Sequence, residues 1–102
     1  MTREEHLLTI IAEECVEIAK NATKALRFGL DDCEPGQRKT NAARILEEAA
    51  DLAAMFEMLR HANGVFAEEY ERAKVMQATW IENKIYKVEK FLEYSKERER
   101  LS

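Results

Sequence analysis

The apolar positions of the first 28 residues recur with the spacing of an α-helix. When successive residues are placed about 100° apart, one arc of the helical wheel collects Leu7, Ile10, Ile11, Ile18 and Ala25. Thr2 and Glu5 have the spacing of a capping box, and Gly29 is a residue that commonly ends a helix in the left-handed conformation. The pattern predicts a first helix over residues 3–28.

A polar segment separates this helix from a second periodic stretch. Residues 29–40 hold the only proline and two of the three glycines of the chain, which predicts a loop. Thr40 or Asn41 is placed to cap the next helix. Apolar side chains then follow at three- and four-residue steps: Ala42, Ile45, Ala49, Leu52, Phe56 and Leu59. The Asn63-Gly64 dipeptide ends the series, so we expect a second helix over residues 41–62.

A third apolar series continues from Phe66 almost to the end of the chain. Its members are Tyr70, Ala73, Met76, Trp80, Ile85, Val88 and Leu92. They predict a helix of about 30 residues, about 45 Å long at 1.5 Å per residue, with a break at residues 77–79 as the alternative. Because the first two helices are too short to cover it, we expect an all-α bundle of three main helices. Homo-oligomerisation, as a dimer or a dimer of dimers, would complete it to a four-helix type of bundle.

Length and composition limit the classes of partner. A chain of 102 residues predicts a single domain over residues 1–102. Twenty acidic residues against 16 basic ones give a net charge of -4, so no binding to a nucleic-acid polymer is expected. No apolar run approaches the roughly 18 residues that a bilayer requires, and the N-terminus lacks the order of a signal peptide. We therefore expect no membrane partner and a cytoplasmic location.

Four carboxylates fall where the wheels are otherwise apolar. Glu14 lies near the middle of the first arc with Glu17 at its edge, whereas Glu48 lies on the shoulder of the second arc with Asp51 one step further out. Facing carboxylates repel each other unless a divalent cation lies between them, and oxygen-only ligands favour Mg²⁺ or Mn²⁺ over zinc. The simpler interpretation assigns each pair to the solvated face of a glutamate-rich helix.

The neighbours of these carboxylates carry less information. Glu13 and Glu47 point away from the arcs and are surface charges or water-orienting groups. Cys15 and Cys33 lack metal-ligand spacing and are too few for a disulfide framework, so reduced, structural thiols are expected. The two histidines, His6 and His61, also lack ligand spacing to each other.

The two acidic motifs resemble those of a known family. Glu13-Glu14-Cys15-Val16-Glu17 followed by Glu47-Glu48-Ala49-Ala50-Asp51 is similar to the MazG-like, all-α nucleoside triphosphate pyrophosphohydrolases. Members are recognised by Glu-x-x-Glu on one helix and Glu-x-x-Asp on the next. The 30 residues between Glu17 and Glu48 are closer to the spacing of the dCTP- and dUTP-cleaving relatives than to compact MazG repeats.

The resemblance implies hydrolysis of a (deoxy)nucleoside triphosphate to the monophosphate and pyrophosphate. It assigns Glu14, Glu17, Glu48 and Asp51 as the catalytic metal ligands, with Mg²⁺ as the cofactor and Mn²⁺ as a substitute. In related enzymes the partner subunit completes the nucleotide pocket. The carboxylate residues by themselves are also consistent with this chemistry. Metal ions held by carboxylates screen the charge of a triphosphate and lower the pKa of a bound water molecule.

A triphosphate also needs cationic contacts, and several side chains qualify as candidates, although most are surface charges in the simpler interpretation. They are Arg27, Arg38, Lys39, Arg44, Asn83, Lys84 and Lys87. The resemblance favours Asn83, Lys84 and Lys87, which lie where family members place phosphate contacts. Trp80 is a candidate to stack on the base, but its helical phase favours a core or dimer-interface position.

Two other functions compete with this one. A di-iron carboxylate bundle uses Glu-x-x-His motifs, and neither acidic motif contains a histidine. A non-enzymatic helical module, such as an antitoxin or adaptor that dimerises through the third helix, would leave the four carboxylates without a role. Such a module should gain no heat stability from Mg²⁺ or Mn²⁺.

Overall fold

The computed structural model describes residues 1–101 and contains three α-helices. They are α1 (Arg3–Phe28), α2 (Asn41–Ala62) and α3 (Gly64–Leu101), and no β-strand occurs in the described residues. The predicted all-α class is confirmed. The chain divides into two compact units, the first over Met1–Ala67 and the second from Glu68 onward. The start of α3 belongs to the first unit and the remainder of α3 forms the second.

Helix α1 begins and ends where its sequence predicts. The Thr2 hydroxyl accepts a hydrogen bond from the Glu5 backbone N–H at 3.1 Å, and the Glu5 carboxylate accepts one from the Thr2 N–H at 3.2 Å. Gly29 ends the helix with φ 103° and ψ 153°, and its N–H donates to the Ala25 carbonyl. The positive φ was expected, but the extended ψ replaces the expected left-handed helical turn. Glycine allows this because it has no Cβ.

The predicted loop over residues 29–40 is held in place by the first residue of α2. Asn41 is 4% exposed, and its side-chain amide donates to the Gly29 carbonyl at 2.9 Å. Its backbone N–H donates to the Asp32 carbonyl, and the next N–H, that of Ala42, donates to the Leu30 carbonyl. The side chain of Thr40 caps α2 by accepting from the Ala43 N–H at 3.0 Å. These bonds connect the end of α1 to the start of α2.

Helices α1 and α2 pack as an antiparallel hairpin with a small apolar core. The buried hydrophobic residues of the described chain are Leu7, which is 2% exposed, and Leu59, which is 4% exposed. Both lie near the end of the hairpin opposite the loop. Other apolar side chains of this unit face solvent, with Val16 64% and Leu46 71% exposed. The hairpin therefore buries only part of its own apolar surface.

Helix α3 is longer than the sequence predicts. It begins at Gly64, two residues before Phe66, and runs for 38 residues without the alternative break at residues 77–79. Asn63 connects it to α2, because its N–H donates to the Leu59 carbonyl at 3.0 Å while its side-chain oxygen accepts from the Phe66 N–H at 2.9 Å. The helix continues through residues 77–79 because they include neither glycine nor proline. None of the helices in the described residues combines the length and apolar character needed to cross a bilayer.

The buried amide of Asn41 should contribute measurably to stability. Substituting Asn41→Ala removes the hydrogen bond to the Gly29 carbonyl, and we expect the free energy of unfolding to fall by about 1–2 kcal/mol in urea denaturation. The matched control is Asn83→Ala at an exposed position of α3, which should change stability by less than about 0.5 kcal/mol. Equal effects of the two substitutions would contradict the role of Asn41.

Candidate metal centre

Three carboxylates meet halfway along the α1–α2 hairpin. Glu14 comes from α1, whereas Glu48 and Asp51 come from one face of α2, three residues apart. One oxygen from each lies within 4.8 Å of one oxygen from each of the others. Glu14 and Glu48 are partly buried and Asp51 is exposed, which is the order that the helical wheels predict. The antiparallel packing thus brings together residues more than 30 positions apart in the sequence.

The protonation of Glu14 responds to this crowding. A hydrogen bond with Glu48 is the largest influence, and with partial burial and the charges of Glu48, Asp51 and Glu17 it raises the pKa of Glu14 from 4.5 to about 7. Two carboxyl groups share a hydrogen bond only when one of them carries a proton. The centre therefore holds a proton at slightly acid pH when no cation is bound.

The centre fits a hard divalent cation. The Glu14 Oε2 atom is buried without a hydrogen-bond partner among the described residues, and such an oxygen is costly unless water or a cation meets it. All three groups offer oxygen, the ligand that Mg²⁺ and Mn²⁺ prefer. Ligand oxygens of one Mg²⁺ ion are about 3.0 Å apart when adjacent and about 4.2 Å apart when opposite, so three oxygens within 4.8 Å of one another are near enough to share an ion after the side chains close in.

Glu17, the fourth predicted ligand, lies outside this group of three. Its side chain is partly buried, and its charge still contributes to the raised pKa of Glu14. Its role as a metal ligand stays a prediction. Glu13 and Glu47 are exposed, and Glu47 forms an ion pair with Lys39 at 2.9 Å, so Lys39 and Glu47 are surface charges that pair with each other.

Basic side chains occupy the part of the hairpin between the carboxylates and the loop. Arg44 lies one helical turn before Glu48 and is partly buried, and its Nε has no hydrogen-bond partner among the described residues. Lys24 of α1 pairs with Glu34 of the loop at 2.6 Å. The hydrogen bond and charge of Lys24, followed by the charge of Arg44, hold the pKa of Glu34 below its usual value.

Asn21 is a buried polar residue of α1 that the sequence interpretation missed. Only 5% of it is exposed, although it carries a polar side chain. It lies seven residues after Glu14, which is two helical turns along the same face of α1, and three residues before Lys24. Continuing the helical wheel of α1 past Glu14 would have found it. The α1–α2 interface therefore carries a polar strip that runs from acidic side chains through Asn21 to basic ones.

The other predicted substrate contacts are exposed. The Arg27 guanidinium lies 5.3 Å from the centre of the Phe28 ring. Asn83, Lys84 and Lys87 are exposed on α3 in the second unit, and their contacts with phosphate stay predictions. Trp80 is 51% exposed, so it does not occupy a core position within that unit.

The two cysteines are unpaired. Both are free thiols, as expected, but Cys15 is exposed, so the structural role expected for it is not seen. Cys33 is partly buried, and its Sγ lies 3.6 Å from the Arg38 carbonyl oxygen. It also lines a cavity of about 250 Å³ in the corner between α1, the loop and α2, together with Lys24 and Asn41.

Comparison of the chain with protein-family models, curated proteins and solved structures gave no match.

Without a divalent cation, the raised pKa of Glu14 should make stability depend on pH. The folded state holds the Glu14 proton up to about pH 7, whereas the unfolded chain releases it near 4.5. The stabilisation from this proton is complete below the lower pKa and is lost as the pH rises through the upper one. Relative to Glu14→Gln, the wild-type urea midpoint should fall between pH 5.5 and 8 in EDTA.

The Gln variant is the control because its neutral side chain cannot titrate. Parallel pH profiles of the two proteins would show that Glu14 has an ordinary pKa. Calorimetric titration with Mg²⁺ at pH 6 gives a second measurement, since a cation must displace the proton and the heat should depend on the buffer's ionisation enthalpy.

Proposed function

We propose that this chain is a Mg²⁺-dependent hydrolase that converts a (deoxy)nucleoside triphosphate to the monophosphate and pyrophosphate. The observation that supports this most directly is the cluster of Glu14, Glu48 and Asp51 around a buried carboxylate oxygen without a partner. A surface acidic patch would leave all its oxygens in water. Here one oxygen is removed from water and two like-charged neighbours surround it, an arrangement that a divalent cation stabilises.

The carboxylates of both helices would hold the cation. Glu14, Glu48 and Asp51 supply oxygens on two sides of the hairpin, and Glu17 is proposed as a fourth ligand from the motif resemblance. Bound Mg²⁺ supplies positive charge that stabilises the triphosphate and acidifies water. Glu14 must lose its proton before it binds a cation, so cation binding and proton release at this carboxyl are coupled.

The basic part of the polar strip is suited to the phosphates of the substrate. Arg44 lies on the same face of α2 as Glu48, one turn away, and its Nε is buried without a partner. A guanidinium presents several N–H groups in a plane, which matches the oxygens of a phosphate. We propose Arg44 as a phosphate contact, with Asn83, Lys84, Lys87 and Arg27 as further contacts implied by the resemblance or by their charge.

The position of bond cleavage is proposed from the motifs. The Glu-x-x-Glu and Glu-x-x-Asp pair is the pattern of enzymes that release pyrophosphate, and the chain contains no glycine-rich phosphate loop of the kind used by terminal-phosphate hydrolases. Such an enzyme would act on the cytoplasmic nucleotide pool, either to control a normal deoxynucleotide or to remove an unwanted one.

A homo-oligomer, either a dimer or a dimer of dimers, is proposed as the functional unit. Two hydrophobic residues are buried in the described chain, whereas Leu26 and Leu46 are 88% and 71% exposed. A second copy of the chain is the simplest way to cover such surface.

A non-enzymatic dimerisation module is the second candidate, and the exposed apolar residues of α3 favour it. Trp80 and Ile81 are each 51% exposed, as expected for an interaction helix. The two functions differ in their response to cations. A metal-dependent hydrolase should unfold at a higher temperature in Mg²⁺ than in EDTA, whereas a module without a metal centre should not.

The decisive variant for the metal centre is Glu48→Gln, which keeps the shape of the side chain and removes its charge. We expect pyrophosphate release to fall by at least about 100-fold while the helical circular dichroism spectrum is retained. In EDTA the variant should unfold at a higher temperature than the wild type, because a repulsion with Glu14 is removed.

Glu47→Gln is the matched control, one residue away and exposed on the surface. It should retain activity, since it loses only an exposed ion pair with Lys39. Glu17→Gln decides whether the fourth carboxylate binds the cation, because a ligand should raise the Mg²⁺ concentration needed for half-maximal activity. Near-normal turnover by Glu48→Gln would reject the proposed centre.

The products distinguish this enzyme from other phosphohydrolases. With a triphosphate labelled at its terminal phosphate, we expect the label in pyrophosphate and the nucleotide released as the monophosphate. Chromatography of the initial products makes the measurement, across the common and modified (deoxy)nucleotides. Nucleoside diphosphate and labelled orthophosphate as the first products would contradict the proposed bond cleavage.

A further inference from the structure

The side chain of Glu34 is held at the basic end of the polar strip. This loop residue pairs with Lys24 of α1, with 2.6 Å between Oε1 and Nζ, and its side chain is 49% exposed. The charge of Arg44 on α2 also acts on Glu34, because after Lys24 it is the next largest influence that holds the pKa of Glu34 below its usual value. A carboxylate from the loop therefore lies near cations from both helices of the hairpin.

This basic end is not fully satisfied by Glu34. The Nε atom of Arg44 is buried and has no hydrogen-bond partner among the described residues. Asn21 is only 5% exposed, and its side chain makes no hydrogen bond within the described part of the chain. A buried polar group without a partner costs free energy unless a water molecule or a ligand meets it. The basic end thus offers more hydrogen-bonding groups than the single loop carboxylate uses.

The register of the hairpin brings these groups to one segment of the α1–α2 interface. Glu14 faces Glu48 across the antiparallel helices, so Asn21, seven positions later on α1, faces the first turn of α2. That turn contains Arg44, and Lys24 lies one turn beyond Asn21 toward the loop. An ammonium, an amide and a guanidinium group therefore lie in the same part of the hairpin. The set of Lys24, Asn21 and Arg44 is here named the loop-end site.

We infer that the loop-end site binds a phosphate group and that the carboxylate of Glu34 is its internal competitor. A phosphate group has more acceptor oxygens than a carboxylate and is tetrahedral, so it can accept from Lys24, Arg44 and Asn21 together. When a phosphate binds, Glu34 leaves Lys24 and turns toward solvent. The identity of this ligand as a phosphate of the substrate rests on the proposed function, whereas the binding of a phosphate does not.

Side chains must supply this site, because the backbone of the first turn of α2 is already used. The N–H groups of Asn41 and Ala42 donate to carbonyls of the loop, and that of Ala43 donates to the Thr40 hydroxyl. The N–H of Arg44 donates to the Thr40 carbonyl. A bound phosphate would therefore depend on the loop-end side chains, whose contributions substitution can measure.

Release of Glu34 needs no rearrangement of the loop backbone. The side chain of Asn41 donates to the Gly29 carbonyl and its N–H to the Asp32 carbonyl, which holds the loop on α2 whether or not Glu34 is paired. An exposed ion pair contributes little free energy, so a phosphate can displace the carboxylate from Lys24. A cavity of about 250 Å³ adjoins Lys24 and Glu34. The competition should lower the affinity for every phosphate ligand without closing the site.

Titration of the full chain with inorganic pyrophosphate in EDTA tests the competition without turnover or a bound cation. Calorimetry at low salt should show about fivefold tighter binding by Glu34→Gln than by the wild type, because the internal anion is removed. Asp31→Asn is the matched control. It removes the same charge from the same loop, and Asp31 is exposed and forms no ion pair, so its affinity should stay within about twofold of the wild type.

Substitutions of the loop-end site should have the opposite effect. Lys24→Gln and Arg44→Gln are each expected to weaken pyrophosphate binding at least about tenfold while the helical circular dichroism spectrum is retained. Asn21→Leu keeps the branched shape of the side chain and removes its hydrogen-bonding groups. If the amide serves a ligand, this variant should bind pyrophosphate more weakly and unfold at the same or a higher temperature. Lower stability with unchanged binding would show that Asn21 is structural and would remove it from the site.

Three results would overturn the inference: no pyrophosphate binding by Glu34→Gln, equal affinities of Glu34→Gln and the wild type, or an equal gain in Asp31→Asn, which would indicate a general charge effect. The carboxylate centre is tested separately, because Glu48→Gln should lose hydrolysis yet still bind pyrophosphate in EDTA. A wild-type chain that binds pyrophosphate at the loop-end site but hydrolyses no nucleotide would reject the proposed function and leave the competition by Glu34 in place.

Discussion

The repulsion between Glu14 and Glu48 is the main electrostatic cost of packing α1 against α2. The two side chains occupy an interface where paired helices usually place apolar residues, and Asp51 adds a third negative charge. Without a cation the conflict is relieved by a proton, which is why the pKa of Glu14 rises to about 7. The packing of the hairpin is therefore linked to the occupancy of its centre. A divalent cation at the proposed centre would relieve the same repulsion in place of the proton.

Placing charges in the interface leaves less room for an apolar core. Leu7 and Leu59 are buried near one end of the hairpin, and Asn41 with its hydrogen bond to Gly29 holds the other end. Between these ends lie the carboxylates and the buried Asn21. A hairpin with so little buried apolar surface is weakly stabilised on its own. Both a bound cation and a second copy of the chain would add the missing free energy.

The polar strip between α1 and α2 changes from acidic to basic along the hairpin. Acidic groups lie at the middle of the hairpin, and Lys24 and Arg44 lie toward the loop. A polyphosphate that bridges a cation and a guanidinium would meet both parts of the strip at once. Arg44 is singled out as a phosphate contact only by its position, because the sequence does not distinguish it from the other basic residues. The buried, unpartnered Nε separates it from Lys39, which pairs with Glu47 on the surface.

The sequence by itself determined the helices and the carboxylate pairs, because both depend on short-range spacing. Thr2, Gly29, Thr40 and Asn63 mark helix ends through local backbone bonds, and the helical wheel shows which side of a helix Glu14 or Glu48 occupies. The length of α3 was underestimated mainly at its C-terminal end, where the apolar series stops at Leu92 but the helix continues through charged residues to Leu101; the capping side chain of Asn63 adds two residues at the start.

Only the tertiary structure decided which of these residues meet. The antiparallel register of α1 and α2 brings Glu14 to Glu48 and Asp51 and leaves Glu17 outside the group of three. It also buries Asn21 and Asn41, whose polar side chains give no sequence signal of burial apart from their helical phase. Register is set by the loop contacts and by packing between residues distant in the chain. Helical spacing carries no information about those contacts, so the sequence predicted the carboxylate pairs and only the structure showed which three of the four carboxylates lie together.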